Sequence, residues 1–249
     1  MALFNKGDFV LVEYTVRVKE TGNLVDTTDE ELAKRENAYE EGKIYGPTLL
    51  IIGRNWINGY VEDEIAKMEV GEERVIEVPP EKAFGERDPK KIKILSLREF
   101  KRRGVEVRVG DVVELSEGQG IVKGIEGGRV IVDLNHPLAG KTLVYKVKVV
   151  GKLDNLLEKA RKLAVRHLRI PEGELAISYN EAEKALVLSI PTKYMTRRDL
   201  GYSKLALATD VMQHLSDGVT KVVFQEVIER RASQGGQGPP EPEGQAKQQ

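Results

Sequence analysis

The chain offers few side chains that could carry covalent or metal chemistry. It contains no cysteine, which excludes disulfides, thiolate metal sites and a cysteine nucleophile. Its three histidines, His136, His167 and His214, are widely separated, and no pair of them has the spacing of metal ligands. We therefore predict that the chain binds no metal.

The remaining candidates for a site are four aromatic residues and one aspartate. They are Tyr14, Tyr60, Phe84, Tyr145 and Asp26. Taken singly, such aromatic residues are typical of a protein core, and Asp26 is typical of a turn or a helix cap. Whether they form a site depends on the segments around them.

The first part of the chain predicts a sheet with short helices. β-branched and aromatic residues dominate residues 8–18, which predicts a strand. Thr28 and Glu31 have capping-box spacing, which predicts a short helix that starts there. Apolar residues at helical spacing predict a second helix over residues 57–68, and a strand follows at 73–78.

The rest of the chain reads as two further units and a tail. Residues 87–133 are rich in short strand patterns, with a hairpin signal at Gly127-Gly128. Residues 153–231 have the pattern helix, strand, strand, helix, strand, which predicts an α+β unit. Residues 232–249 are rich in Gly, Pro and Gln and predict a disordered tail.

Several separated motifs occur together in one order. The sequence has Val-Glu-Tyr-Thr from residue 12, Asn-Trp-Ile-Asn-Gly-Tyr-Val-Glu from residue 55, and Pro-Pro-Glu-Lys-Ala-Phe-Gly-Glu from residue 79. These segments resemble the FKBP family of peptidyl-prolyl cis/trans isomerases. The β-rich stretch and then Asn-His-Pro-Leu-Ala-Gly-Lys-Thr-Leu from residue 135 resemble its SlyD-like form, which carries an insert-in-flap domain. The resemblance covers roughly residues 6–152, and the C-terminal part is similar, more loosely, to long archaeal members.

The resemblance implies an α+β fold: an FKBP half-barrel of antiparallel strands around a short helix, with an inserted small β domain and a C-terminal α+β domain. We expect the isomerase domain at residues 1–86 plus 134–152 and the insert-in-flap domain at 87–133. The C-terminal domain is expected at 153–231, followed by the tail at 232–249.

The implied reaction is rotation about an X-Pro peptide bond, which has a barrier of about 18–20 kcal/mol. No covalent bond is made or broken, so neither a cofactor nor a metal is needed. Amide resonance places charge on the carbonyl oxygen, and a dry apolar cleft disfavours that charge separation. Such a cleft therefore favours the twisted amide.

The resemblance also implies which residues line the cleft. The expected catalytic residues are Tyr14, Asp26, Ile57, Tyr60, Phe84 and Tyr145, and Val25 and Trp56 are expected to contact substrate. Ile57 is expected to offer its backbone N–H to the substrate carbonyl, and Asp26 to supply a polar wall. Phe84 departs from the tyrosine of many relatives, and the lost hydroxyl corresponds to about 1 kcal/mol of ligand binding.

The inserted unit is expected to bind unfolded polypeptide, by the same resemblance. Its apolar residues Ile92, Ile94, Leu97 and Phe100 are the candidate contacts, although residues of this kind also form the unit's own core. An alternative function stays open: a holdase or assembly factor with weak or no isomerase activity.

Charge and hydropathy restrict the partners. The net charge of -1 gives no reason to expect nucleic-acid binding. No apolar run reaches the about 18 residues of a membrane span, and the first residues lack a secretory pattern, so we predict a cytoplasmic protein without a membrane partner. The expected partners are unfolded or proline-containing polypeptides. The helix at 200–215 and the last strand of the C-terminal domain could form a homodimer interface, or a docking site for a ribosome or chaperone, and the sequence leaves both open.

Overall fold

The computed structural model describes residues 3–228, and the predicted tail at 232–249 lies outside them. The strands within this range are β1 (Phe9–Val18), β2 (Leu24–Thr27), β3 (Thr48–Ile51), β4 (Glu73–Val78), β5 (Ile92–Ser96), β6 (Val112–Leu115), β7 (Gly118–Glu126), β8 (Arg129–Asp133), β9 (Leu143–Leu153), β10 (Ala176–Asn180), β11 (Ala185–Ile190) and β12 (Lys221–Glu226). The α-helices are α1 (Glu30–Arg35), α2 (Gly59–Ile65), α3 (Leu97–Arg102), α4 (Leu156–Leu168) and α5 (Leu200–His214).

The main sheet is antiparallel and has the order β2-β1-β9-β4, with β3 paired to the first half of β1. It curls around α2, whose Val61 and Ile65 are fully buried against side chains such as Val12 and Val147. This arrangement confirms the expected α+β fold with an antiparallel half-barrel around a short helix. β2 and β3 pair with the same side of β1, β3 along Phe9–Val12 and β2 from Thr15 onward. Between them this side of β1 has no strand partner in the described part of the chain, which leaves a gap in the edge of the sheet.

The short helix α1 corrects one detail of the sequence prediction. A capping box at Thr28 is wrong, because the N-cap is Asp29, whose Oδ1 accepts a hydrogen bond from the Leu32 N–H at 3.0 Å. The Thr28 side chain bonds β1 and not the helix, because its Oγ1 accepts a hydrogen bond from the Tyr14 N–H at 2.9 Å. Its side chain thus joins the start of α1 to β1, across the gap in the sheet edge.

The inserted sheet has the order β5-β8-β7-β6 and stands in the chain between the neighbouring strands β4 and β9. The predicted hairpin joins β7 to β8, with Gly127 and Gly128 at φ of 55° and 77°, a region that favours glycine. Polar contacts fix the base of the sheet. Asn135 donates to and accepts from the Asp88 backbone, and Arg87 pairs with the buried Asp133 at 2.5 Å.

The C-terminal unit, from α4 to β12, has the predicted order of helix, strand, strand, helix, strand. β10 and β11 are antiparallel, whereas β11 and β12 are parallel because α5 crosses between them. Its core is continuous with the back of the main sheet: Phe9, Leu49 and Ile51 are buried among the side chains of α4 and α5. The unit therefore covers the part of the main sheet where β3 joins β1.

No helix within residues 3–228 is both long enough and apolar enough to cross a membrane.

Candidate active site

A hydrogen-bonded tyrosine and aspartate lie at the edge of the main sheet. The Tyr14 hydroxyl on β1 donates to Asp26 Oδ2 on β2 at 2.8 Å, and Asp26 Oδ1 pairs with the Lys43 ammonium. Burial raises the pKa of Tyr14 well above its ordinary value, and the Asp26 charge raises it further. Tyr14 is therefore a permanent hydrogen-bond donor, oriented by a carboxylate.

The turn before α2 supplies the floor of the site. Glu62 accepts a hydrogen bond from the Gly53 N–H at 2.6 Å, and Asn58 caps the helix by accepting from the Tyr60 N–H at 3.0 Å. These bonds fix the turn that holds Trp56 and Ile57. α2 begins at Gly59 and not at Ile57, so Ile57 keeps a non-helical backbone.

The predicted lining residues pack around one apolar cluster that spans the main sheet and α2. The half-buried members of this group are Tyr14, Val25, Trp56, Ile57 and Tyr60, and Tyr145 is buried among them. No residue within the described range accepts a hydrogen bond from the Ile57 N–H. That donor is therefore unpaired within residues 3–228, on a residue that packs against the apolar cluster.

Tyr145, on β9, is buried in the same apolar cluster. Burial raises the pKa of its hydroxyl, and the charge of Asp26 adds to the effect. The hydroxyl makes no hydrogen bond to a described residue, and it is not among the fully buried polar atoms that lack a partner. It therefore keeps some contact with solvent at the cleft.

Phe84 lies apart from this cluster. Its exposed ring stacks on His136 with centroids 4.1 Å apart and an interplanar angle of 1°. Near it in the chain, the Lys82 ammonium lies 3.9 Å from the centroid of the Tyr60 ring. Sequence reasoning missed both contacts of this outer rim, since neither His136 nor Lys82 stands in a pattern that indicates stacking.

The C-terminal unit contacts the floor of the cleft, which sequence reasoning did not predict. The Arg166 guanidinium carbon lies 4.0 Å from the centroid of the Trp56 ring, and the His167 ring meets the same indole edge-on. Buried Asp210 on α5 holds this arrangement, because it bonds His167 Nε2 at 2.8 Å and Arg54 at 2.7 Å. Burial lowers the pKa of His167 although Asp210 opposes the shift.

A cavity of about 770 Å³ extends from this site. It is lined by Val25 and Asp26 on β2, by residues of the segment 40–49, by Arg166 on α4 and by Arg169, which follows the end of that helix. The volume lies in the usual range for ligand sites, about 300–1,000 Å³. The cavity therefore connects Val25 and Asp26 with the C-terminal unit.

The four residues predicted for the inserted unit differ in accessibility. Ile92 and Ile94 on β5 are exposed, and Leu97 is half-buried. Phe100 is buried in the unit's core, although it lines a small cavity of about 210 Å³ together with Leu95 and Leu115. Only the two isoleucines thus present an open apolar surface.

Among residues 3–228, no three His, Cys, Asp or Glu side chains are grouped in a way that could hold a metal ion.

Comparison with known proteins agrees with the fold. Residues 93–138 match the family model described as "FKBP26, IF domain". The short-type peptidyl-prolyl cis-trans isomerase of Methanocaldococcus jannaschii is 34% identical over 147 residues, which are 59% of this chain and 92% of the relative. The FKBP-type 16 kDa isomerase of Escherichia coli K12 is 30% identical over 60% of this chain and 93% of its own. SlyD of Helicobacter pylori is 32% identical over 57% of this chain and 70% of its own.

The chain therefore belongs to the family of FKBP-type peptidyl-prolyl cis/trans isomerases. It is of the SlyD-like form, which carries an insert-in-flap domain, and it is an enzyme that acts on X-Pro bonds.

Proposed function

We propose that isomerisation takes place in the cleft formed by Tyr14, Asp26, Trp56, Ile57 and Tyr60. The observation that carries this proposal is the Ile57 N–H, unpaired among residues 3–228, on a residue that packs against the same apolar cluster as Tyr14, whose hydroxyl Asp26 orients. A prolyl ring would rest on Trp56 and Tyr60, and the carbonyl next to the rotating bond would accept from Ile57.

The cleft would act through its polarity. Water stabilises the charge separation of the planar amide. An apolar site removes this water and so lowers the free-energy difference between the planar and the twisted amide. A fixed N–H donor holds the carbonyl while the prolyl side rotates, which reduces the entropy that must be lost at the barrier. No step requires proton transfer to or from a side chain.

Chemical-shift mapping tests this placement. When an X-Pro peptide is added to the labelled protein, we expect the amide of Ile57, the indole of Trp56 and the ring of Tyr60 to shift together. Exposed Val75 on β4 is expected not to shift. Shifts confined to the inserted or C-terminal units would contradict the placement.

We further propose that the inserted unit binds unfolded chains through the open face of its sheet. Side chains alternate between the two faces of a strand. One face carries the core residues Leu95, Leu115, Val113, Val122, Val130 and Val132. The alternation assigns the opposite face to Ile92, Ile94, Val112, Ile121 and Ile131.

Strand register forms two apolar cross-strand pairs from four of these residues, Ile94 with Ile131 and Val112 with Ile121. Between β7 and β8, Ile121 is paired with Asp133 and Ile131 with Gly124, so the two pairs lie diagonally across the sheet. Ile94 and Val112 are 63% and 65% exposed, although both are apolar. Exposed apolar side chains on one face of a sheet are typical of an interaction surface, and their chemistry suits the apolar segments of unfolded polypeptides.

Replacing Ile94 by aspartate tests the binding surface. We expect the variant to suppress the aggregation of an unfolded protein severalfold less well, while turnover of a short X-Pro peptide stays unchanged. Val75→Asp is the matched control, because Val75 is 61% exposed and also lies on an edge strand, in the main sheet. Equal loss of suppression in both variants would refute a specific role for the inserted sheet.

The division into domains at 1–86 plus 134–152, 87–133 and 153–231 also remains a proposal. Three separate sheets support it, whereas the core shared by Phe9 and α4 ties the C-terminal unit to the isomerase unit. The named isomerase relatives favour an enzyme over the alternative of a holdase without activity. The cytoplasmic location and the lack of nucleic-acid and membrane partners stay predictions from the sequence.

A second copy of the chain is the partner we propose for α5. Tyr202, Leu205 and Met212 lie on one side of this helix and are exposed within the single chain. Light scattering is expected to give the mass of a dimer for the wild type and of a monomer for Leu205→Glu. A wild-type monomer at high protein concentration would contradict this assignment.

A further inference from the structure

Arg166 on α4 reaches the proposed isomerase cleft from the C-terminal unit. Its guanidinium carbon lies 4.0 Å from the centroid of the Trp56 ring, and one guanidinium nitrogen lies 3.4 Å from the Leu49 carbonyl oxygen. Arg166 is also near enough to Tyr14 for each to act on the other's pKa. It lines the same cavity as Asp26.

This guanidinium has no carboxylate partner among residues 3–228. Both oxygens of the nearby Asp210 carboxylate already have partners, because one bonds Arg54 and the other bonds His167. Burial lowers the pKa of Arg166, as expected for a cation that has lost water without gaining an equivalent partner. A half-buried cation of this kind, at the wall of a cavity, attracts an anion.

The other cations of the cavity wall are different. Lys43 is paired with Asp26, and Lys162 is paired with Glu172 at 2.5 Å. Arg169 is exposed, so water screens its charge. Among the four cations that line the cavity, Arg166 is thus the one that is half-buried and has no carboxylate partner within the described range. Its guanidinium packs on the Trp56 ring, which holds it in position.

We propose that Arg166 is a specificity-determining residue, which binds an acidic side chain close to the proline of the substrate. The enzyme would then prefer X-Pro segments that carry Glu or Asp near the prolyl bond. This inference rests on the proposed function, because it requires the substrate chain to pass from the cleft into the cavity beside α4.

The test uses peptides that are capped at both ends and differ only in having Glu or Gln at one position near proline, on either side of it. Capping makes the side chain the sole carboxylate of the peptide. Binding is followed by the fluorescence of Trp56, the one tryptophan in the sequence, and turnover by exchange spectroscopy. The proteins are the full-length wild type, Arg166→Gln, Arg166→Lys and the control Arg169→Gln.

For one position, we expect the wild type to favour the Glu peptide over the Gln peptide by about fivefold to tenfold in binding and in kcat/KM. Arg166→Gln should bring this ratio to about one, because the charge contact with the peptide carboxylate is lost. Arg166→Lys should retain part of the preference, and Arg169→Gln should retain all of it.

A wild-type ratio near one at every position, or a preference that survives Arg166→Gln, would overturn the inference. Absent turnover of all peptides would instead contradict the proposed function. In that case the binding ratio from Trp56 fluorescence still decides whether Arg166 selects a carboxylate.

Discussion

Asp26→Ala is expected to lower kcat/KM for a short X-Pro peptide by about tenfold to hundredfold. Asp26 orients the Tyr14 hydroxyl and neutralises the Lys43 ammonium, so its removal disrupts both polar groups at the cleft wall. Loss of a hydrogen bond to a charged group costs about 1.5–3 kcal/mol, and each 1.4 kcal/mol corresponds to about tenfold in rate. Exchange spectroscopy on the peptide measures the effect.

Asp63→Ala is the matched control for this substitution. Asp63 is an exposed carboxylate on α2, close to the floor of the cleft but without a bond to it. Its removal should leave turnover within about twofold of the wild type, in line with the small effects of most surface substitutions. Similar losses in the two variants would show that the polar wall has no special role.

Phe9→Ala is expected to destabilise the protein by about 3–5 kcal/mol, the usual cost of removing a buried phenylalanine. Phe9 projects from the back of β1 into the core of the C-terminal unit, where it is 1% exposed. The cavity would lie at the junction of the two units. For a chain of this size, the melting temperature should fall by roughly 6–20 °C, measured by calorimetry.

Val75→Ala provides the comparison for that result. Val75 is an exposed strand residue of the same sheet, so its replacement should change stability by about 0.5 kcal/mol at most. If Phe9→Ala melts no lower than Val75→Ala, the C-terminal unit does not depend on the main sheet for its stability.

Local patterns and motifs predicted much of the structure. The strand β1 follows from its β-branched and aromatic residues, and the hairpin between β7 and β8 follows from the two glycines. The half-barrel and the insert followed from motifs in a particular order, and not from periodicity. The same motifs predicted one site for Tyr14, Asp26 and Tyr60, which are distant in the chain. In the structure Tyr14 and Tyr60 pack against one apolar cluster, and Tyr14 bonds Asp26.

The contacts between units could not be predicted in this way. Arg166 and His167 stand in an ordinary amphipathic helix, and nothing in their spacing indicates that they meet Trp56. Asp210, too, reads as one polar residue of α5 until the fold brings it to Arg54. These contacts depend on how α4 and α5 pack against the main sheet. Hydrophobic periodicity does not encode that packing.

Local competition explains the smaller errors. Thr28 was expected to cap α1, but it bonds the backbone of Tyr14, and Asp29 caps the helix in its place. Both are short polar side chains that can bond nearby backbone groups, so the choice depends on the neighbouring strand. Phe100 stands in an apolar run that looks available for binding, yet it fills the core of a small unit.

The most direct test of the account is exchange spectroscopy on an X-Pro peptide, with the wild type beside Tyr60→Ala. Tyr60 forms the floor on which the prolyl ring is proposed to rest. We expect fast exchange with the wild type and a loss of about tenfold or more with the variant, because a contact with the rotating group is removed. Exchange that survives the substitution unchanged would contradict the assignment of the cleft.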